Sequence, residues 1–174
     1  MKPLLALLFT IMPGLALASP ASPVTGPESF AELSGVMVYE NLYLAGQPDS
    51  QALAAAKAAG VSVVINLRTQ GEMRFDEQSV AEELGLSYHH VPIAGATGFT
   101  PENLALLDDL AQAAGSEKVL VHCASGNRVG GWLANYLVTR QGVPVDEAFR
   151  VGRAAGLRSS AIETHIREQL KHTD

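Results

Sequence analysis

The pattern that most constrains the fold is an alternation of strands and helices built around the apolar run Val61–Leu67. This run is rich in β-branched residues and nearly continuous, which is typical of a strand buried on both faces of a parallel sheet. Further strands are predicted at 36–39, 42–44, 86–93 and 119–122. Helices are predicted over 51–59, 77–84, 101–114, 132–141, 145–155 and 160–172. Short links between them indicate an α/β fold with a parallel or mostly parallel sheet of four to five strands, flanked by helices.

The chain divides into three predicted parts. Residues 1–18 have the features of a secretory signal peptide, with a positive charge at Lys2, an apolar run and the ending Ala16-Leu17-Ala18. An uncleaved membrane anchor is the alternative. Residues 19–34 are rich in Pro, Ser and Ala and are predicted to be a flexible lead-in. Residues 35–174 then form one domain, which we expect to be secreted or periplasmic.

Charge and cysteine content restrict the partners. The formal net charge is −6 and no basic run is present, which disfavours nucleic acid and, after signal cleavage, a membrane surface. Cys123 is the only cysteine, so no internal disulfide can form. An inert buried thiol is one interpretation of such a residue, but its neighbours point to chemistry.

The run from His122 to Arg128 is predicted to be an anion-binding loop. It follows the strand 119–122 and leads into a helix, so the amides of 124–129 and the helix dipole can converge on one point. Arg128 adds a fork of donors, and the same field favours a thiolate at Cys123, which makes it a nucleophile. A tight turn with an incidental Cys and Arg is the alternative. The remaining predicted loop residues are His122, Ala124, Ser125, Gly126, Asn127 and Val129.

The same run resembles the signature of cysteine-dependent phosphatases of the tyrosine/dual-specificity superfamily. More closely, the chain is similar to the bacterial phosphatase-like domain family named for β-lactamase-hydrolase-like proteins. Segments 41–48 and 60–68, followed by Glu72, resemble that family's pattern. The resemblance covers 36–157 and implies a protein-tyrosine-phosphatase-like α/β fold, with Cys123 as the nucleophile and Arg128 as the phosphate ligand.

Three features depart from the phosphatase pattern. Four residues separate Cys123 from Arg128 where phosphatases have five, and four is the spacing of rhodanese-type sulfurtransferases. Val129 stands where phosphatases commonly have Ser or Thr. The connection 94–100, which matches the loop that carries the phosphatase general acid, contains no acidic residue. Without such an acid, aryl phosphates should lose the least rate.

Several further residues are ambiguous in the sequence. Glu72, Asp76 or Glu102 could replace the missing acid, although a solvated or capping role is the simpler expectation for each. Arg68 is either a second anion contact in the cleft or an ion-pair partner of Glu72. We therefore treat Arg68 and Glu72 as supporting residues of the site.

We expect no metal and no cofactor. His89 and His90 are neighbours on a strand and point to opposite faces, so they cannot form a metal pair. A zinc site that combines either of them with His122 and Cys123 would place a cation against Arg128.

Three functions are compatible with these features. The first is a phosphatase-like hydrolase that forms a thiophosphate on Cys123. The second is a rhodanese-like sulfurtransferase, or another sulfide-metabolism protein, that carries a persulfide on Cys123. The third is a non-catalytic module that binds anions or phosphoproteins. The expected partner is a phosphate-bearing or sulfur-bearing small molecule or protein.

Overall fold

Strands and helices alternate along the chain much as the sequence predicts. The computed structural model describes residues 20–172, so the predicted signal peptide lies outside the described residues. The strands are β1 (Thr25–Phe30), β2 (Leu33–Tyr39), β3 (Leu42–Ala45), β4 (Val61–Asn66), β5 (Ser87–His90) and β6 (Lys118–His122). The helices are α1 (Ser50–Ala58), α2 (Glu77–Glu83), α3 (Pro101–Ala113), α4 (Asn127–Gln141), α5 (Val145–Ala154) and α6 (Ser160–Leu170), with a 3-10 turn at Gln70–Glu72.

The six strands form one mixed sheet in the order β1-β2-β3-β6-β4-β5. The strands β3, β6, β4 and β5 are parallel, whereas β1, β2 and β3 pair antiparallel as two successive hairpins. The prediction of an α/β fold with a mostly parallel sheet is therefore confirmed. Since the parallel strands all end on one edge of the sheet, His122 at the end of β6 lies beside the ends of β3 and β4.

The predicted flexible lead-in over 19–34 is wrong in its second half. Residues 25–30 form the edge strand β1, which raises the number of strands above the four to five expected. Along β1 only Phe30 is buried, and its ring lies 5.5 Å from the ring of Tyr43. An edge strand tolerates Pro27 and polar residues because one of its sides faces solvent. A Pro- and Ser-rich composition therefore did not exclude a strand here.

Helices cover both faces of the sheet. Val63 and Ile65 of β4 belong to the larger apolar cluster, which they share with residues of α3, α4, α5 and α6. Val64, on the opposite face, belongs to the second cluster with residues of α1 and α2. This alternation is the expected one for a strand covered on both sides. Among residues 20–172, no helix has both the length and the apolar character needed to cross a membrane.

Two glycines let α4 and α5 cross with their backbones in close approach. A Cβ atom added at Gly130 would lie 2.5 Å from the carbonyl oxygen of Gly152, and one added at Gly152 would lie 2.6 Å from that of Gly130. No side chain fits in that space. The crossing fixes the first turn of α4, and with it the loop that precedes the helix.

Candidate active site

The loop between β6 and α4 curls back over the sulfur of Cys123. The amide of Gly126 donates to Cys123 Sγ at 3.2 Å, and the amide of Cys123 donates to the carbonyl of Ala45 on β3 at 3.3 Å. Gly126 has a φ of 81°, a left-handed conformation that glycine adopts without steric cost, and the helix begins directly after it. One amide of the predicted anion-binding loop is thus aimed at the sulfur.

The sulfur is covered rather than exposed. Cys123 is 0% exposed, whereas Ala124 and Ser125 are the exposed residues of the loop. Val129 lies in the apolar core, so no hydroxyl stands at the position where phosphatases commonly have Ser or Thr. The surface that a ligand first meets is therefore formed by residues 124 and 125.

The guanidinium of Arg128 points into the protein beside Cys123. Its side chain is 11% exposed and forms a two-point ion pair with Glu72, with Nη1 at 2.8 Å and Nη2 at 2.5 Å from the two carboxylate oxygens. Nη1 also donates to the carbonyls of Leu67 and Ile93, at 3.2 and 2.9 Å. Burial opposes the charge, but the hydrogen bonds to Glu72 and the charge of Cys123 raise the pKa of Arg128. The Nε–H and one Nη2–H stand outside these contacts.

Glu72 is held in place from its own turn as well. Its carboxylate accepts from the amide and the hydroxyl of Thr69, both at 2.8 Å, while Arg128 binds it from the other side. The hydrogen bonds from Arg128 lower the pKa of Glu72 to about 2. Glu72 contacts Arg128 directly, but a carboxylate that remains ionised to about pH 2 cannot donate a proton near neutrality.

The other two candidate acids lie at the starts of helices, where Asp76 caps α2 and Glu102 lies in the first turn of α3. Asp76 accepts from the amide and hydroxyl of Ser79 at the start of α2, and these bonds lower its pKa. Glu102 lies exposed in the first turn of α3, where hydrogen bonds from its own backbone and from Thr100 lower its pKa. Neither carboxylate hydrogen-bonds to residues 122–129. The simpler expectation of capping or solvated roles fits both residues.

Both sequence-based expectations for Arg68 are wrong. Arg68 is 0% exposed, so it does not face the cleft, and its ion pair is with Glu77 rather than with the Glu72 carboxylate. Glu77 is equally buried, and its second oxygen accepts from Nε2 of His122 at 2.6 Å. Buried charges persist only when they are paired, and here one carboxylate pairs with both partners. We call Arg68, Glu77 and His122 the buried cluster.

Sequence reasoning missed Glu77 because it resembles an ordinary acid in a helix first turn. The only signal was a buried position in the apolar pattern of α2, where Glu77 and Ala81 share one face. Asn66 extends the buried cluster outward by accepting from the amide of Arg68 at 2.8 Å and donating to the hydroxyl of Tyr88 at 2.8 Å. The cluster therefore supports, from below, the strand end that presents Cys123.

Asn127 ties the loop to the segment after α5. Its side-chain oxygen accepts from the amides of Arg158 and Ser159, at 2.6 and 2.8 Å. Nη2 of Arg158 in turn donates to the carbonyl of Ser125 at 2.9 Å.

Within residues 20–172, no group of three His, Cys, Asp or Glu residues is placed to hold a metal ion.

Comparisons with known proteins identify the family of this chain. The sequence pattern described as "Beta-lactamase hydrolase-like protein, phosphatase-like domain" matches residues 36–134. A Beta-lactamase hydrolase-like protein from Xylella fastidiosa is 31% identical over 143 residues, which is 79% of this chain and 33% of the relative. The chain therefore spans about a third of that relative's length.

Among solved structures, the fold is similar to that of phosphatases. Tk-PTP in the active form has a TM-score of 0.65 at 21% identity, covering 76% of this chain and 92% of that one. P. aeruginosa TpbA in complex with pTyr has a TM-score of 0.65 at 19% identity, covering 87% and 90% of the two chains. Both similarities concern the fold. With its matching sequence pattern, this chain belongs to the phosphatase-like domain family of beta-lactamase hydrolase-like proteins.

Proposed function

We propose that this domain is a cysteine-dependent hydrolase that cleaves phosphate monoesters through a thiophosphate intermediate. The observation that carries the proposal is the Gly126 amide directed at Cys123 Sγ, with the Arg128 guanidinium in electrostatic contact with the same sulfur. The Cys123 thiolate attacks phosphorus as the bond to the leaving oxygen breaks. Water then cleaves the S–P bond, which releases phosphate and restores the thiolate.

Arg128 is suited to hold the phosphoryl oxygens. A guanidinium has five N–H donors, and the contacts of Arg128 with Glu72 and two carbonyls leave the Nε–H and one Nη2–H outside them. Two such donors in one plane match two oxygens of a phosphoryl group. Glu72 then orients the guanidinium for this contact instead of competing for all of its donors.

A substrate has to open the loop before it reaches the sulfur. Cys123 has no exposed surface, and Ala124 and Ser125 lie on the outside of the loop. Binding of a phosphoryl group therefore displaces residues 124–125 outward. The crossing at Gly130 keeps the start of α4 in place during this movement, so Arg128 remains beside Cys123.

The acid-free surroundings favour aryl phosphates. The connection 94–100 contains no acidic residue, and Glu72 is held ionised by Arg128. A leaving group therefore departs without a protein proton donor, which phenolates do far more readily than alkoxides. We propose aryl phosphates, with phosphotyrosine as their protein-borne form, as the substrates.

The test compares an aryl and an alkyl phosphate under reducing conditions, because the thiolate becomes accessible to oxidants when the loop opens. We expect the wild-type protein to hydrolyse p-nitrophenyl phosphate much faster than glycerol phosphate, and Cys123→Ser to abolish both reactions. Arg150→Gln is the matched control, since Arg150 pairs with Glu147 on an exposed face of α5. Equal rates for wild type and Cys123→Ser, or no turnover by either, would contradict the proposal.

The four-residue spacing supports sulfur transfer as a second candidate. Cys123 would take the sulfane sulfur of thiosulfate, releasing sulfite, and this step needs no proton donor of the kind missing here. Intact-protein mass spectrometry after thiosulfate treatment should then show a gain of one sulfur atom that is absent in Cys123→Ser. Tight vanadate binding without turnover or sulfur gain would instead indicate a non-catalytic anion-binding module.

We also propose that the domain acts outside the cytoplasm. The proposal rests on the charged start, apolar run and small residues of positions 1–18. The mass of the protein recovered from a periplasmic extract should correspond to a chain that starts at Ser19. Recovery of the full-length chain from the cytoplasm would contradict this.

A further inference from the structure

Two of the chain's eight arginines differ from the rest. Within residues 20–172, Arg74 and Arg158 are the two arginines with no carboxylate at ion-pair distance, although the chain is acidic overall. Both line cavities that also contain residues of the Cys123 loop. The other six arginines all form ion pairs: Arg68, Arg128, Arg140, Arg150, Arg153 and Arg167.

Arg158 is fixed against the loop by two separate contacts. Its backbone amide donates to Asn127 Oδ1 at 2.6 Å, and its Nη2 donates to the Ser125 carbonyl at 2.9 Å. The cavity beside it measures about 350 Å³, and among residues 20–172 no acidic residue lines it. Its one other cation, Arg153, is paired with Glu163. Most of the N–H donors of Arg158 therefore remain available to an anion.

Arg74 stands on the other side of the loop. Arg74 lines three cavities, of which the one of about 430 Å³ includes Ala124 and adjoins the cavity of Arg158. The acidic residues Glu32 and Asp49 also line that cavity, and the Asp49 carboxylate caps α1 through the amide of Ala52 at 2.7 Å. The positive potential near Arg74 is therefore weaker than that near Arg158.

The two cavities adjoin and form one groove. Ser34 and Gly46 line both of them, so the groove runs past the exposed residues 124–125 with an unpaired guanidinium on each side. An elongated ligand with negative charge at both ends fits this arrangement better than a compact polyanion does.

From this arrangement, and resting on the proposed hydrolase function, we infer the substrate class. We propose that the domain acts on phosphotyrosine peptides with acidic residues on both sides of the phosphotyrosine. One acidic side chain binds Arg158 and the other binds Arg74, while the phosphate enters the Cys123 loop. Charge-assisted hydrogen bonds of this kind favour the acidic peptide over a neutral one.

The test measures peptide affinity in the Cys123→Ser background, where turnover cannot interfere. Two fluorescent phosphotyrosine peptides are compared by anisotropy, one with Glu and one with Gln on both sides. We expect the acidic peptide to bind about tenfold more tightly at low salt, with the difference shrinking as salt screens the charges. Arg158→Gln should remove most of the difference, Arg74→Gln less, and the double variant all of it. Arg150→Gln, the matched control, should retain it.

Several outcomes would overturn the inference. These are equal affinity for the two peptides, no measurable binding of either, or a preference that survives the double substitution. Pyrophosphate that displaces the probe as well as the unlabelled acidic peptide does would point to a compact polyanion instead. The two proposals fail separately, because turnover of both peptides with no binding preference contradicts only the substrate class. A binding preference for the acidic peptide, with no turnover of either peptide by the wild-type protein, contradicts only the proposed hydrolase function.

Discussion

Two arginine–glutamate pairs lie side by side in this protein, and they differ in their access to water. Arg68 and Glu77 are both 0% exposed, and the same carboxylate binds His122. The side chains of Arg128 and Glu72 are 11% and 34% exposed and border the Cys123 loop. The chemistry of the two pairs is the same, so burial alone assigns them different roles.

The physical reason is the cost of an unpaired charge. A charge left alone in the interior has no water to solvate it, so a fully buried pair cannot exchange partners. A pair at the edge of a cleft stays partly solvated, so the donors that the carboxylate leaves unused can bind water or a phosphoryl oxygen at small cost. Arg68–Glu77 therefore fixes the strand ends under the loop, whereas Arg128–Glu72 orients the guanidinium that we propose as the phosphate ligand.

The largest effect is expected from breaking the buried cluster. In Glu77→Gln, Arg68 becomes an uncompensated buried charge, and we expect the free energy of unfolding to fall by about 3–5 kcal/mol. Urea unfolding measures this loss. Glu83→Gln on the exposed side of α2 is the matched control and should change stability by less than about 0.5 kcal/mol. A loss for Glu77→Gln no larger than for the control would show that the cluster does not hold the strand ends.

Substitution of Arg128, in the partly exposed Arg128–Glu72 pair, should affect activity rather than stability. In Arg128→Lys one charge remains but the planar fork is lost, and we expect kcat/KM for an aryl phosphate to fall by about 10²–10³. The urea midpoint, measured in parallel, should show that the variant is folded. Activity within tenfold of wild type would exclude Arg128 as the phosphate ligand.

How far the sequence predicts this site depends on how local each contact is. Cys123, Gly126 and Arg128 lie within six positions between a strand and a helix, so spacing alone placed them together. The Glu77–His122 contact joins residues 45 positions apart. No local pattern reports such a pairing, and it depends on β4 and β6 being neighbours in the sheet.

The fold follows the same rule. The buried parallel strands were predictable because apolar runs such as Val61–Asn66 need cover on both faces. The edge strand β1 was not predictable, because five of its six residues are exposed and carry no apolar periodicity. Its place in the sheet depends on backbone hydrogen bonds to β2. Any segment that adopts an extended conformation can make such bonds, so they leave no signal in the sequence.

An intermediate effect is expected at the outer end of the buried cluster. In Tyr88→Phe, Asn66 loses the hydroxyl that accepts a hydrogen bond from its Nδ2 at 2.8 Å. We expect the free energy of unfolding, measured with urea, to fall by about 1 kcal/mol. Burial raises the pKa of Tyr88 to about 12, so its absorbance should titrate well above that of an ordinary tyrosine. Tyr136→Phe is the control, because it also removes a tyrosine hydroxyl while the ring that packs on Trp132 remains. A stability loss for Tyr88→Phe equal to that for Tyr136→Phe would limit the cluster to Arg68, Glu77 and His122.

The smallest effect, and the one that separates the two pairs most directly, is the pH dependence of Glu72→Gln. Hydrogen bonds from Arg128 lower the pKa of Glu72 from 4.5 to about 2 in the folded protein. The ion pair therefore stabilises the fold fully above about pH 4.5 and loses that contribution as the pH falls towards about 2.

Because the carboxylate is a third exposed, we expect the wild type to exceed Glu72→Gln by less than about 1 kcal/mol at about pH 6, with the difference vanishing near about pH 2. Urea unfolding of both proteins across this range measures it, and subtraction removes the groups that titrate equally in both. A difference that stays constant with pH would contradict the ion pair. A difference at about pH 6 as large as that for Glu77→Gln would make Arg128–Glu72 a structural pair like the buried one.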